Sequence, residues 1–307
     1  MIEVDHISKT FHVKSVDIKA LDDVTFTIPK YSVGGLVGHN GAGKTTLIKI
    51  LSTLIIPDQG DARLNGISIR EEKKIRKIIG VMMVSERAFY FRLSGFDNLV
   101  FFGIIQGLSI SEAKRRAKEL LELVGLSDFA NVQYMKYSTG MQRKLALARA
   151  LILDPPILLL DEPTLGMDPI SSRDFRSLVK KLAKEKTILM TSHNMREVED
   201  LADKIVILKR GKVVAQGSRE DIVSSVGKVK VIITDKVPSG FEKYVSTFIH
   251  GKAVLRVPEK EREVDGDVIG EEEATLEDAF VYYVGEEIDS TRNRRRGGGG
   301  WYRRWGE

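Results

Sequence analysis

Residues 38–45 read GHNGAGKT, and this run constrains the fold more than any other part of the chain. It matches the pattern GxxxxGK followed by Ser or Thr, in which glycines let successive backbone N–H groups curl around phosphates. Lys44 can reach the β- and γ-phosphates of a nucleotide, and the Thr45 hydroxyl can ligate Mg²⁺. The nucleotide-binding residues predicted here are Gly38, His39, Asn40, Gly41, Ala42, Gly43, Lys44, Thr45 and Thr46.

The segments that flank this loop predict structure with unequal clarity. Residues 46–54, TLIKILSTL, favour a helix, as a phosphate-binding loop requires. Residues 32–38, SVGGLVG, favour a strand only weakly, because Gly34 and Gly35 have no side chains to pack in a strand interior.

Residues 137–163 supply a second constraint. Apolar residues recur three or four positions apart in GMQRKLALARALIL, which is the helical period, and Ser138 and Thr139 stand where a hydroxyl caps free helix N–H groups. Such a helix start favours anions. ILLLDEP then reads as a buried strand that ends in Asp161 and Glu162. Because the first loop already satisfies one ATP, we expect the second helix start to serve a nucleotide held by another copy or a homologous partner.

Together these segments resemble the nucleotide-binding subunit of an ATP-binding cassette (ABC) transporter, over about residues 1–220. In chain order, GHNGAGKTT resembles the Walker A loop, YSTGMQ the signature, ILLLDEP Walker B, TLGMD the D-loop and TSH the switch histidine. Near the C-terminus, ATLEDAFVYYVG resembles the closing segment of cassettes that power drug, lipid or polysaccharide exporters. The resemblance and the alternation of strand and helix patterns predict an α/β fold: a P-loop NTPase core with a mostly parallel sheet and an inserted helical subdomain.

The resemblance implies a role for each matching residue. Asp161 would hold the Mg²⁺ shell, and Glu162 would polarise the attacking water, although Asp-Glu-Pro could also be only a polar exit from a strand. His193 would touch the γ-phosphate. Asp168 would couple two sites across a dimer, and Phe11 would stack on adenine or else belong to the core. The signature residues implied at the nucleotide of the other copy are Ser138, Gly140 and Gln142.

Two positions depart from the family pattern. A glutamine is expected near residue 84, after IGVMM, but the chain reads Val84-Ser85-Glu86-Arg87. The Ser85 hydroxyl or the Glu86 carboxylate could replace it as a Mg²⁺ ligand. His39 stands where many relatives have proline, and a titratable group there could make phosphate binding sensitive to pH.

Charge and pattern predict three regions: a cassette at 1–220 with a helical insert at about 85–153, a small α+β unit at 221–285, and a tail at 286–307. The α+β unit combines alternating runs at KVKVII and AVLRV with an exposed acidic linker, DGDVIGEEE, and a helix from about Thr275. Residues 290–307 hold six arginines and one glutamate, which equals the net charge of +5 of the whole chain. We expect the tail to be disordered, with lipid headgroups or RNA as possible contacts. The rest of the chain is neutral and does not favour nucleic acid.

No apolar run approaches the roughly 20 residues of a membrane helix, and the best candidate is LVFFGIIQGL (99–108). The N-terminus has no secretory pattern. The absence of cysteine excludes disulfides and thiol catalysis. The predicted function is therefore an ATP- and Mg²⁺-dependent ATPase subunit of an exporter. It would lie peripherally at the cytoplasmic face of the cell membrane, with a second cassette and an integral membrane permease as partners. The alternative is a soluble cassette ATPase acting on ribosomes or nucleic acid.

Overall fold

The computed structural model describes residues 1–13, 16–83 and 89–285. The chain divides between Ile222 and Val223 into two compact units. The predictions for Ser85, Glu86 and the tail at 286–307 lie outside the described residues.

The first unit carries two sheets and the predicted helices. Its strands are β1 (Ile2–Val13), β2 (Val16–Ile28), β3 (Val33–Val37), β4 (Gln59–Leu64), β5 (Ile67–Ser68), β6 (Ile79–Met82), β7 (Ile157–Asp161), β8 (Thr187–Ser192), β9 (Lys204–Lys209) and β10 (Lys212–Gly217). Its helices are α1 (Lys44–Leu51), α2 (Glu72–Ile78), α3 (Gly95–Ile105), α4 (Ile110–Leu123), α5 (Thr139–Ala150), α6 (Pro169–Ala183) and α7 (Met195–Leu201), and α8 (Arg219–Val226) crosses the division.

The larger sheet has six strands in the order β10-β9-β3-β8-β7-β6. Its pairs are parallel except for β10 with β9. Strand β7 is a continuous apolar run because both its faces are covered: Leu158 and Leu160 join one core cluster, and Ile157 and Leu159 join another. The predicted fold class, a mostly parallel α/β core, is confirmed.

Strand β3 forms at the centre of this sheet despite its two glycines. An added Cβ at Gly34 would lie 2.5 Å from Ile28 Cδ1, and one at Gly35 would lie 2.9 Å from Val198 Cγ1. The glycines therefore let β2 and α7 pack directly on the strand. The sequence pattern favoured this strand only weakly because glycines have no side chains to pack. In the structure, Ile28 of β2 and Val198 of α7 approach the glycine backbone from the two faces and fill that space.

A second sheet, antiparallel and in the order β2-β1-β4-β5, was not anticipated as a separate layer. Phe11 lies on β1 opposite Ile18 of β2. Its ring is partly exposed and has the Lys9 ammonium 5.7 Å from its centroid.

Helices α3, α4 and α5 lie within the range predicted for the helical insert. Ser109 is the N-cap of α4 and forms a capping box with Glu112. The apolar run at 99–108 falls largely on α3. None of the helices in the described residues is both long enough and apolar enough to span a membrane.

The second unit has an antiparallel sheet made of β11 (Lys228–Thr234), β12 (Val245–Ile249), β13 (Lys252–Pro258) and β14 (Asp267–Glu273), in the order β12-β13-β11-β14. Its core includes Phe241, Tyr244 and Leu255. The acidic stretch predicted as a linker is exposed but forms a strand, because residues 267–273 pair with β11 and two of its glutamates bond to Lys228 and Arg256. Helix α9 (Leu276–Val284) follows the sheet, in agreement with the helix predicted from about Thr275, and the Thr275 side chain is its N-cap.

Candidate active site

The loop between β3 and α1 has the backbone that its glycines predict. Gly41 and Gly43 have φ angles of 83° and 108°, in the left-handed region that favours glycine. An added Cβ at Gly43 would also lie 2.6 Å from the carbonyl oxygen of Ala20. Gly43 is the N-cap of α1 and, having no side chain, leaves the first N–H groups of the helix without a side-chain cap, an arrangement that favours anion binding.

The Lys44 ammonium lies beneath this loop. It donates to the carbonyl oxygens of Gly38 at 2.6 Å and His39 at 3.3 Å, and it lies 3.6 Å from Glu162 Oε1. The residue is only 6% exposed. The cation is thus fixed between the loop and the carboxylate at the end of β7.

A partly buried cluster of oxygen atoms joins the ends of three elements. Thr45 Oγ1 donates to Asp161 Oδ2 at 2.9 Å, and Thr191 Oγ1 donates to Asp161 Oδ1 at 2.6 Å. Asp161 is 5% exposed. One carboxylate and one hydroxyl beside a phosphate site fit Mg²⁺, which prefers hard oxygen ligands and usually takes one or two carboxylates together with substrate phosphates. Within the described residues no larger group of potential metal ligands is present.

Glu162 and His193 meet at the carboxyl ends of β7 and β8. His193 Nδ1 lies 2.7 Å from Glu162 Oε2. Glu162 adopts a φ of 45°, unfavourable for a residue with a side chain, and its backbone N–H donates to Thr191 Oγ1 at 2.9 Å. This hydrogen bond helps to hold the strained residue so that its carboxylate lies between Lys44 and His193.

The signature residues lie at the start of α5. Ser138 is the N-cap and accepts from the Met141 N–H, and Gln142 donates to the Tyr137 carbonyl. Gly140 is required by close packing, since an added Cβ would lie 2.9 Å from Ser171. None of the hydrogen bonds that the described residues give Ser138 or Gln142 reaches the phosphate loop.

Asp168 is the N-cap of α6. It accepts from the backbone N–H groups of Ile170 and Ser171, and the hydrogen bonds from Ser171 are the main cause that lowers its pKa below the ordinary value. The carboxylate is exposed and charged at neutral pH. Phe11, on β1, belongs to neither core cluster of this unit, so its role toward adenine stays a prediction.

Comparison with known proteins identifies the family. Residues 21–165 match the profile described as ABC transporter. The ABC transporter ATP-binding protein NatA of Bacillus subtilis (strain 168) is 39% identical over 227 residues, which cover 73% of this chain and 92% of NatA. The chain belongs to the ABC transporter ATP-binding proteins.

Further matches support the same family assignment. The linearmycin resistance ATP-binding protein LnrL of the same organism is 37% identical over 234 residues, 76% of this chain and 74% of LnrL. A dimeric ATP-binding cassette, solved in a post-hydrolysis state with ADP and Pi, superposes with a TM-score of 0.65 at 28% identity. That match covers 71% of this chain and 98% of the solved one.

Some polar residues of this ABC cassette were missed by sequence reasoning. Thr191 bonds to both Asp161 and the Glu162 N–H, and Glu197 bonds to Thr164 and Ser192. Thr191 lies in an apolar strand and Glu197 on a short helix, and nothing in the local pattern marks either. The sequence could have pointed to them only by their position relative to the predicted His193, which Thr191 precedes by two residues and Glu197 follows by four.

Proposed function

We propose that this ABC cassette hydrolyses ATP as the energy-supplying subunit of an exporter, in a head-to-tail dimer coupled to a separate membrane subunit. The observation that carries the proposal is the placement of the Glu162 carboxylate between the Lys44 ammonium and the His193 imidazole, beside Asp161 and Thr45. Phosphoryl transfer needs charge neutralisation and an aligned nucleophile more than covalent chemistry, and these groups supply both.

Each residue has a distinct part in this mechanism. The loop N–H groups and Lys44 bind the phosphates and neutralise the charge that develops on them. Glu162 orients and deprotonates the attacking water. His193 Nδ1 lies 2.7 Å from Glu162 Oε2 and donates to it when that nitrogen is protonated, and contact with the γ-phosphate requires a proton on the other ring nitrogen as well.

Magnesium fits the oxygen cluster at the end of β7. Thr45 would hold it directly, and Asp161 would hold it through water. When bound, Mg²⁺ neutralises phosphate charge. In this chain, Thr191 orients the Asp161 carboxylate by donating a hydrogen bond to its Oδ1.

A second copy, or a homologue, would complete the site. The start of α5 is exposed at Ser138, and Asp168 presents a charged, exposed carboxylate. We propose that Ser138, Gly140 and Gln142 contact the nucleotide held by the other cassette and that Asp168 couples the two sites. The dimeric arrangement of a related cassette supports this part of the proposal.

The membrane partner and the direction of transport rest on relatives. Among them are ATP-binding proteins named for resistance to linearmycin and daunorubicin, which supports export. ATP would favour the closed dimer, closure would drive the membrane subunit at the cytoplasmic face, and hydrolysis would reset it. Mass spectrometry of the proteins that co-purify from gently solubilised native membranes tests this. A stoichiometric multi-span protein supports the proposal, and recovery with ribosomal components contradicts it.

The hydrolytic role is tested by Glu162→Gln. We expect this variant to bind ATP with unchanged affinity, to lose turnover, and to accumulate as an ATP-dependent dimer in analytical ultracentrifugation. Glu185→Gln, at an exposed carboxylate after α6, is the matched control and should behave as wild type. Near-normal hydrolysis by Glu162→Gln would show that another group activates the water.

A further inference from the structure

We propose that Glu197 is a positioning residue for hydrolysis, whose carboxylate ties the loop after β7 to the turn that carries His193. The inference deepens the proposed function and rests on it. Glu197 does not touch the predicted position of the nucleotide; it anchors the turn that carries His193 to the loop after β7 and acts through His193.

The geometry places one side chain between two segments. Glu197 lies in α7 and is 2% exposed. Its Oε1 accepts from Thr164 Oγ1 at 2.7 Å, two residues after Glu162, and its Oε2 accepts from Ser192 Oγ at 2.6 Å, next to His193. Each carboxylate oxygen therefore accepts a hydrogen bond from a different segment of the site.

The Ser192 hydroxyl extends this connection to the turn itself. While it donates to Glu197, it also accepts from the backbone N–H of Asn194 at 3.0 Å. His193 stands between these two residues, and its Nδ1 lies 2.7 Å from Glu162 Oε2. A displacement of the Glu197 carboxylate would thus move the imidazole that orients the general base.

The two segments border an open cleft of about 700 Å³, whose lining includes Glu162, Thr164, Ser192, His193 and Glu197. The backbone pairing of β7 with β8 ends at Asp161 and Thr191, before this cleft. Beyond that pair, the two hydroxyl–carboxylate hydrogen bonds of Glu197 connect the segments.

The cost of burying this carboxylate supports a role beyond packing. Burial is the main cause that raises the pKa of Glu197, and the charge of Glu162 adds to it, while the two hydroxyls and the charge of Arg176 oppose it. The same short helix already buries Met195, Val198 and Leu201. An apolar residue would avoid the desolvation penalty here, so packing alone does not explain an acid at this position.

The first experiment measures steady-state ATP hydrolysis, ATP affinity and thermal stability for the full chain. For Glu197→Ala we expect kcat to fall about tenfold, with KM for ATP and the binding affinity unchanged. Glu197→Gln keeps one acceptor oxygen and should recover part of the rate. Glu199→Ala, on the same helix and paired on the surface with Arg219, is the matched control and should leave kcat unchanged.

The second experiment is a double-mutant cycle with His193→Ala, measured by single-turnover hydrolysis. If Glu197 acts through His193, Glu197→Ala should have almost no further effect in the His193→Ala background. An equal loss in both backgrounds overturns the inference. So does a Glu197→Ala variant whose ATP affinity falls in parallel with kcat, with no recovery by glutamine.

Two substitutions keep the test decisive should Glu197→Ala not fold. Thr164→Val removes the hydrogen bond to Glu197 Oε1, and Ser192→Ala removes both the hydrogen bond to Glu197 Oε2 and the acceptance from the Asn194 N–H. Both variants retain the Glu197 carboxylate, and each should lower kcat without changing KM. Failure of the proposed function is recognised separately, because Glu162→Gln and His193→Ala would then hydrolyse ATP at the wild-type rate whatever residue 197 is.

Discussion

Replacement of Thr191 by valine isolates the hydroxyl that organises the end of β7. Valine has nearly the same shape, and Thr191 is 0% exposed, so the change removes hydrogen bonds and leaves little cavity. Two hydrogen bonds are lost: the donation to Asp161 Oδ1 at 2.6 Å and the acceptance from the Glu162 N–H at 2.9 Å.

The magnitude follows from the kinds of hydrogen bond. One to an ionised acceptor is worth about 1.5–3 kcal/mol, and a buried N–H left without a partner costs about 1–3 kcal/mol. Asp161 keeps its hydrogen bonds from Thr45, so we expect a loss of about 3 kcal/mol in the free energy of unfolding. For a unit of this size each kcal/mol lowers the melting temperature by about 2–4 °C, which gives about 6–12 °C.

Turnover should fall as well. Glu162 holds a φ of 45°, and the bond from its N–H to Thr191 helps to maintain that strained backbone. Without it the carboxylate is less well placed between Lys44 and His193, and kcat should drop while ATP affinity changes little.

Calorimetry and an ATPase assay test both expectations, with Thr187→Val as the matched control. Thr187 lies at the opposite end of the same strand, away from the site, and is 2% exposed; among the described residues its hydroxyl accepts from the Tyr31 N–H. The control should lose about 1 kcal/mol and no activity. If Thr191→Val matches this control in both measurements, the hydroxyl does not organise the site and the reasoning fails.

Three further predictions concern other parts of the molecule. Burial raises the pKa of Asp278, but the Arg256 guanidinium and the bonds from the cap of α9 lower it by more, so the net shift is below the ordinary 3.8. The carboxylate therefore stabilises the fold above that value and loses this contribution as the pH falls through its folded-state pKa. Asp278→Asn should melt lower than wild type at pH 7, and a difference that does not shrink as the pH is lowered below 3.8 would contradict the assignment. Gly34→Ala should lower the free energy of unfolding by about 1–3 kcal/mol through overpacking against Ile28, measured as a lower urea midpoint. An unchanged midpoint would mean that β2 moves away to accommodate the added methyl group at little cost. Ser138→Arg should abolish hydrolysis and leave ATP binding by the dilute monomer intact, whereas lost monomer affinity would refute a site shared between cassettes.

The phosphate loop and the carboxylate pair could be predicted because their residue types follow from local backbone geometry. Gly41 and Gly43 occupy left-handed conformations that strongly favour glycine, and Asp161 and Glu162 follow directly from a buried strand. The capped helix starts at Ser138 and Thr275 were predictable for the same reason, since a cap is a contact within one turn.

What could not be predicted depends on partners distant in the chain. Strand β3 looked weak because the sequence does not reveal that Ile28 and Val198 approach its glycines. Residues 267–273 looked like a linker because their charge hides a strand whose partner is β11. Thr191 acquires its role only when β8 is placed next to β7.

The position of β3 in the sheet has a consequence for how the protein is made. Gly35 lies opposite Met190 of β8 on one side and Ile205 of β9 on the other, so most of the first unit is synthesised between the central strand and its neighbours. Contacts this far apart in sequence form late and slowly. A nascent chain that has emerged only as far as α6 therefore has both edges of β3 unpaired, because β8 and β9 have not yet been synthesised. At this stage the chain most needs a chaperone to prevent association with other unfinished chains.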